Sequence, residues 1–184
     1  GQAGRRSVKA AGRADFDLTD SDAIDAYFAA DKTNYKIIVH CAGLNRPKTF
    51  DQLSADEIDE SLRANVTGFL RMLKRLLPRI DDGGGGRIVI ISSIYGFLAR
   101  NGRLPYVASK HALVGIAKTL AIELGPSNIL VNAVSPGYVD TKMTSANNDA
   151  ATIERFRAGI PLGRLAEPAE IADVVAFLCG GGNR

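Results

Sequence analysis

The chain has 184 residues, 46% hydrophobic and 23% charged, a size and balance that suit one globular domain with a buried core and exclude a disordered or fibrous chain. Its 23 basic and 20 acidic residues are mixed along the sequence and leave a net charge of +3 without a one-sided basic patch, so nucleic acid is not an expected partner. No apolar run approaches the ~18 residues that span a bilayer and no secretory signal opens the chain, which points to the cytoplasm and away from a membrane.

From Ala14 onward short apolar runs alternate with longer stretches at helical spacing, without internal repeats. "RADFDL" (13–18) and "YKIIVHCAG" (35–43) predict strands, the second apolar enough to lie buried on both faces as in a parallel sheet. Between them Thr19 to Ala30 opens on polar capping residues and continues at helical spacing. Ser54 and Glu57 form a capping box, after which Ile58, Leu62, Val66, Phe69, Leu70, Leu73 and Leu77 share one helical face up to Pro78. The "DDGGGG" that follows precedes a strand, "RIVIIS" (87–92), whereas phosphate loops lead from a strand into a helix; it reads as a loose connection.

Pro105 suits a first helical turn and predicts a helix running to Leu124. "GPSN" then makes a turn, "ILVNAVS" (129–135) a strand, 136–150 a loop of small and polar residues, and 151–158 and 168–178 two last helices. The alternation predicts a single α/β domain over residues 1–184, built on a doubly wound parallel sheet with right-handed crossovers. Ligands of such sheets sit beyond the carboxyl ends of the strands, which collects "HCAG", "SSIYG" and "SPGYVDT" at one edge. Cys41 and Cys179 lack the Cys/His spacing of a zinc site and read as reduced thiols in or near the core, so no metal is expected.

Two stretches place a lysine four residues after a tyrosine, Tyr106 and Lys110 in "PYVASK" and Tyr138 and Lys142 in "GYVDTK". With 5 tyrosines, and lysine at about one residue in twenty, one such spacing arises by chance with a probability of about one in four, so context must decide. Tyr106 and Lys110 lie at the start of a predicted helix, where residues four apart share a face. There a neighbouring ammonium favours phenolate, lowering the phenol toward working pH so that it can give or take a proton. Tyr138 and Lys142 follow Pro136-Gly137 in a loop that fixes no common direction, and read as a packing tyrosine and a solvated lysine. Ser93 enters the same edge of the sheet 13 residues before Tyr106, where its hydroxyl can hold a carbonyl or alkoxide oxygen beside the phenol. Asn65, on the earlier helix, can add an amide to that network.

"HCAG" (40–43), Asn65 in "RANVTG", Ser93 in "IVIISSIYG", Tyr106 to Lys110 in "YVASK" and "VNAVSPGYVDTKM" (131–143) together resemble the short-chain dehydrogenase/reductase family. The resemblance runs from about Ala14 to Leu178. It implies a Rossmann-type fold and an NAD(P)-dependent oxidoreductase that interconverts a secondary alcohol and a ketone. In that frame Tyr106 is general acid in reduction and base in oxidation; Lys110 lowers its pKa and bonds the nicotinamide ribose. Ser93 orients the substrate oxygen, and Asn65 holds a water of a proton relay. The hydride belongs to NAD or NADP, with NADP favoured. Pro136, Gly137, Val139 and Thr141 border the nicotinamide and phosphates, and Asp17, Leu18, Cys41, Ala42 and Gly43 the adenosine half.

The family's opening strand and glycine-rich phosphate turn have no counterpart here. "GQAGRR" has glycines without a preceding strand, and a last strand after "CGGGNR" is also lacking. In the family's strand order "RADFDL" would then have no neighbour, so the sequence reads as a piece of a longer protein. Three functions follow. The first is an oxidoreductase for a free small-molecule alcohol or ketone. A variant of it is a 3-oxoacyl-carrier-protein reductase, opposed by Gly84 and Ser127 standing where such reductases present basic residues to the carrier. The third is a scaffold subunit that keeps the fold without catalysis. The two long helices, about 54–78 and 105–124, are those through which the family forms homodimers and homotetramers.

Overall fold

A computed structural model describes residues 8–80 and 85–183. Three parallel strands, β1 (Ile37–His40), β2 (Gly86–Ile91) and β3 (Ile129–Val134), lie in that order, with Ile38 opposite Ile88 and Ile88 opposite Val131. The side chains of central β2 alternate between two covered faces, as its unbroken apolar run requires. On one face Ile38, Ile88 and Ile90 join Phe69, Leu73, Leu113 and Ala117 in the main core. On the other, Val89 is fully buried and Arg87 reaches past the last helix to donate to the Asn183 carbonyl at 3.0 Å.

Seven helices surround these strands among the described residues: α1 (Ser21–Ala30), α2 (Ala55–Leu62), α3 (Gly68–Leu76), α4 (Leu104–Leu124), α5 (Lys142–Ala146), α6 (Ala150–Gly159) and α7 (Pro168–Cys179). Their starts follow the sequence chemistry. Asp20 accepts from the Asp22 and Ala23 amides at 2.9 and 3.0 Å to cap α1, and Ser54 and Glu57 form the expected reciprocal capping box of α2. Pro105 sits in the first turn of α4, where its missing N–H is no loss. No helix among the described residues is long and apolar enough to cross a membrane.

Three expectations need correction. The single helix over 54–78 is broken between α2 and α3 by a π-turn, Arg63–Thr67, that contains Asn65. The phase it sets is locked by Gly68, where a Cβ would lie 2.2 Å from the Leu18 carbonyl oxygen and 2.9 Å from that of Arg63. "RADFDL" is not a strand. It has no strand neighbour among the described residues, so its backbone is satisfied by local turns: the Asp15 amide donates to the Gly12 carbonyl at 2.9 Å, and Asp17 accepts from the Thr19 amide at 2.8 Å. Phe16 instead packs on Tyr27 and Phe28. Third, the 136–150 loop contains α5, capped by Thr141. The opening glycines and Asp81 to Gly84 lie outside the described residues.

Candidate functional site

The carboxyl ends of the strands open on a cleft of about 310 Å³. Cys41 and Gly43 reach it from the end of β1, Ser93 from β2, Pro136, Gly137, Val139 and Thr141 from β3, and Tyr106 and Lys110 from the first turns of α4. Cross-links hold these loops in place. The Ser92 amide donates to the Val134 carbonyl at 2.7 Å, the Ile94 amide to the Pro136 carbonyl at 2.9 Å, and the Asp140 amide to the Ala166 carbonyl at 2.8 Å. Ser92 Oγ also donates to the Lys110 carbonyl at 2.9 Å, tying β2 to α4.

Tyr106 and Ser93 line the cleft together, and Ser93 Oγ accepts from the Tyr95 amide at 3.2 Å. Burial pushes the Tyr106 phenol above its ordinary value; the Ser93 hydroxyl and the Arg103 charge pull the other way. Lys110 follows one turn along α4 and is 4% exposed. Its ammonium stands 5.4 Å from the centre of the Tyr106 ring and donates to the Ile91 carbonyl at 2.8 Å. Burial brings Lys110 down to about 8, so its proton is weakly held for a lysine. The Arg103 charge also lowers the phenol.

Asn65 lies fully buried behind the cleft. Its Oδ1 accepts from the Leu44 amide at 2.5 Å, and its Nδ2 donates to the Leu44 carbonyl at 2.8 Å and to Ser109 Oγ at 2.9 Å. Ser109 Oγ donates in turn to the Tyr106 carbonyl at 2.7 Å. One amide therefore joins the loop after β1, the π-turn and the first turn of α4.

His40 is the buried neighbour of this joint. It stacks on Phe69 with ring centres 4.2 Å apart, and its buried Nε2 has no hydrogen-bond partner among the described residues. Burial lowers it to about 4, helped by the Lys110 charge and opposed by the Asn65 backbone, so it is neutral at pH 7. Because the folded value is depressed from 6.5, the unfolded chain binds the proton first as pH falls. Stability is unaffected by His40 above about 6.5, declines through the window down to about 4, and is lower by about 3 kcal/mol beneath it. Denaturant midpoints measured at pH 7 and pH 4 should show this loss, and His40→Asn should shrink it. An equal loss in both proteins would exclude His40 as the source.

The remaining candidates divide. Ala42 does not line the cleft, while Cys41, expected in or near the core, is exposed and lines it. Asp17 and Leu18 do not line it either: the Asp17 carboxylate is taken by Thr19 and Arg13, and the Leu18 carbonyl lies against Gly68. Lys142 only begins α5, but Tyr138 forms cleft wall, stacked on Phe156 at 4.0 Å and bonded to the Tyr95 hydroxyl at 2.8 Å. Sequence reasoning missed Tyr95, Arg100 and Arg103, which complete the wall on that side. One signal was available for Arg103: a cation at a helix N-terminus opposes the helix dipole. Among the described residues no three His, Cys, Asp or Glu side chains cluster as a metal site.

A family model described as enoyl-(acyl carrier protein) reductase matches residues 2–184. The 3-oxoacyl-(acyl-carrier-protein) reductase FabG of Aquifex aeolicus is 41% identical over 143 residues, covering 78% of this chain and 57% of the relative. The acetoacetyl-CoA reductase of Rhizobium meliloti is 39% identical over 149 residues, covering 81% and 62%. The chain thus spans about three fifths of the length of these curated relatives. Among solved structures, a variant of actinorhodin polyketide ketoreductase with NADPH is 32% identical with a TM-score of 0.82, over 91% of this chain and 70% of the other.

Proposed function

The chain belongs to the short-chain dehydrogenase/reductase family, and from that premise we propose that its natural protein is an NAD(P)-dependent oxidoreductase interconverting a secondary alcohol and a ketone, with Tyr106 as general acid and base. The observation that carries this reading is that Ser93, Tyr106 and Lys110 line one cleft at the carboxyl ends of the strands, with Lys110 one helical turn after Tyr106.

The cleft fits the nicotinamide half of a dinucleotide. The backbone at Gly137 is bare, with open space where a Cβ would be, and the backbone at Gly43 runs beside the Lys110 ammonium on the same wall. Lys110 has three ammonium hydrogens, and the Ile91 carbonyl takes one. Lys110 would hold the ribose, and Pro136, Gly137, Val139 and Thr141 would border the nicotinamide and phosphates. Cys41, Ala42 and Gly43, with Asp17 and Leu18 further out, are proposed for the adenosine half. The bound cofactor supplies or accepts the hydride, which no side chain can carry.

The chain's own residues manage the proton. Ser93 Oγ holds the substrate oxygen against the Tyr106 hydroxyl. In reduction Tyr106 donates its proton to that oxygen as it becomes an alkoxide; in oxidation phenolate takes the proton from the alcohol. Lys110 and Arg103 favour the phenolate that follows donation, and Asn65 is proposed to steady the water through which the proton is replaced.

A second reading, a 3-oxoacyl-carrier-protein reductase, is favoured by the FabG relatives. The scaffold reading is opposed by the assembled Ser93, Tyr106 and Lys110. We place the enzyme in the cytoplasm as a single-domain chain that forms a homodimer or homotetramer through α2–α3 and α4, where Ile122 is 79% exposed. The deciding measurement is fluorescence titration of the natural protein with NADPH and NADH, followed by ketone-dependent oxidation of whichever binds. Saturable binding and turnover are expected, with NADPH preferred; no saturable binding of either would leave the scaffold.

A further inference from the structure

We propose that the substrate bears a carboxylate a few atoms from its alcohol or ketone carbon and that the Arg103 guanidinium binds it; the proposal rests on the oxidoreductase reading and names the substrate class of that site. Arg103 lines the cleft three residues before Tyr106 and is only 6% exposed. Its Nη2 donates to the Asn147 carbonyl at 3.0 Å and to Asn148 Oδ1 at 3.2 Å. Its Nη1 is buried and has no partner among the described residues. Buried guanidinium hydrogens without an acceptor are costly and rare, and in a cleft they mark the place of an absent acceptor.

Charge says what kind of acceptor. Arg103 stands at the N-terminus of the 21-residue α4, where the helix dipole repels a cation. Arg100 is close enough to disfavour its charge further. Arg100 itself is held by the Tyr95 and Tyr138 hydroxyls at 2.9 and 3.0 Å and lies over the Phe156 ring at 4.7 Å. No Asp or Glu lines the cleft, and among the described residues neither arginine makes an ion pair with one. A neutral carbonyl would satisfy one N–H but leave the charge unbalanced. A carboxylate does both, and the planar guanidinium fork matches its geometry.

Position separates this group from the cofactor. Along α4 the order is Arg103, Tyr106, Lys110, so arginine and lysine flank the phenol on opposite sides, roughly 10 Å apart by the helical rise. With the ribose at Lys110, the Arg103 side remains for the substrate. The reach from Tyr106 is short, which suits an oxo or hydroxy acid whose carboxylate is close to the reacting carbon. It does not suit a phosphate at the far end of a long acyl carrier arm.

The test compares acetoacetate and pyruvate with their methyl esters, using the natural protein, its Arg103→Gln and Arg103→Lys variants, and NADPH or NADH. For at least one acid the wild type should show kcat/KM roughly tenfold to a hundredfold above the ester, the range expected of a charge-assisted bond. Arg103→Gln should bring that ratio near one and Arg103→Lys should restore part of it. A ratio unchanged in Arg103→Gln overturns the proposal, as does weakened NADPH binding with acid preference intact, which would assign the guanidinium to the cofactor. Calorimetric titration of the same acids gives a readout without turnover. Binding that weakens about tenfold in Arg103→Gln, with no reduction of any compound, upholds the carboxylate site and sinks the oxidoreductase reading. Reduction of the esters with no preference for either acid does the reverse, and an absence of both acid binding and acid reduction overturns the site.

Discussion

Tyr106→Phe should lower kcat of the natural protein by about a thousandfold or more while leaving it folded, since positioned proton transfer contributes roughly 10² to 10⁴ and no other cleft group can replace this one. Ser93 is a hydroxyl of far weaker acidity. Lys110 donates to the Ile91 carbonyl beyond the ring and not at the phenol oxygen. Tyr138 and Tyr95 bond each other and Arg100. The fold should tolerate the change because the hydroxyl faces the cleft beside Ser93, whose Oγ keeps the Tyr95 amide as a donor. A stability loss of no more than about 1 kcal/mol is expected, the cost of one ordinary hydrogen bond. Initial rates and denaturant unfolding of the two proteins check both halves. Turnover within tenfold of wild type would remove Tyr106 from the proton transfer, and a grossly unfolded variant would recast its hydroxyl as structural.

The assignment that leads to this variant was legible because it depended on chain order. Ser93 follows a strand too apolar to lie anywhere but in a covered sheet, and Pro105 starts the helix that carries Tyr106, so two short-range signals place the hydroxyls at one sheet edge. Groups whose role depends on what surrounds them were not legible. Arg103 in "NGRLPY" carries only the weak signal of a cation placed before a helix, and the hydrogen bonds that hold its guanidinium under the 147–148 turn are visible only in the structure. "RADFDL" carries a local strand pattern, but pairing is a property of the neighbour, and no neighbour is present among the described residues. The ammonium of Lys110 was expected at the phenol because residues four apart share a helix face. It turns to the Ile91 carbonyl instead, since that acceptor at the end of β2 lies within its reach.

The π-turn at Asn65 had no sequence signal at all, yet it makes Asn65→Ala the substitution with the largest expected effect on stability. The amide satisfies the Leu44 N–H and C=O, and it also bonds Ser109 in the interior. Alanine leaves the two part-buried backbone groups of Leu44 and the buried Ser109 hydroxyl without the amide, at about 1 kcal/mol or more each, so a loss of roughly 3 kcal/mol is expected. The chain cannot escape by closing the π-turn into regular helix. Removing the extra residue would rotate α3 by about 100°, carrying Phe69 off His40 and driving Gly68 away from its contact with the Leu18 carbonyl. The loss therefore falls on the loop after β1, which holds Leu44 and whose Gly43 lines the cleft. Since that loop borders the cleft, kcat should fall roughly a hundredfold even where the variant remains folded, the scale at which a displacement of about 1 Å disturbs reacting groups. Unfolding measured beside initial rates separates the two effects. A stability loss below about 1 kcal/mol would mean that Leu44 finds other partners, and full activity in a folded variant would deny the joint any part in shaping the cleft.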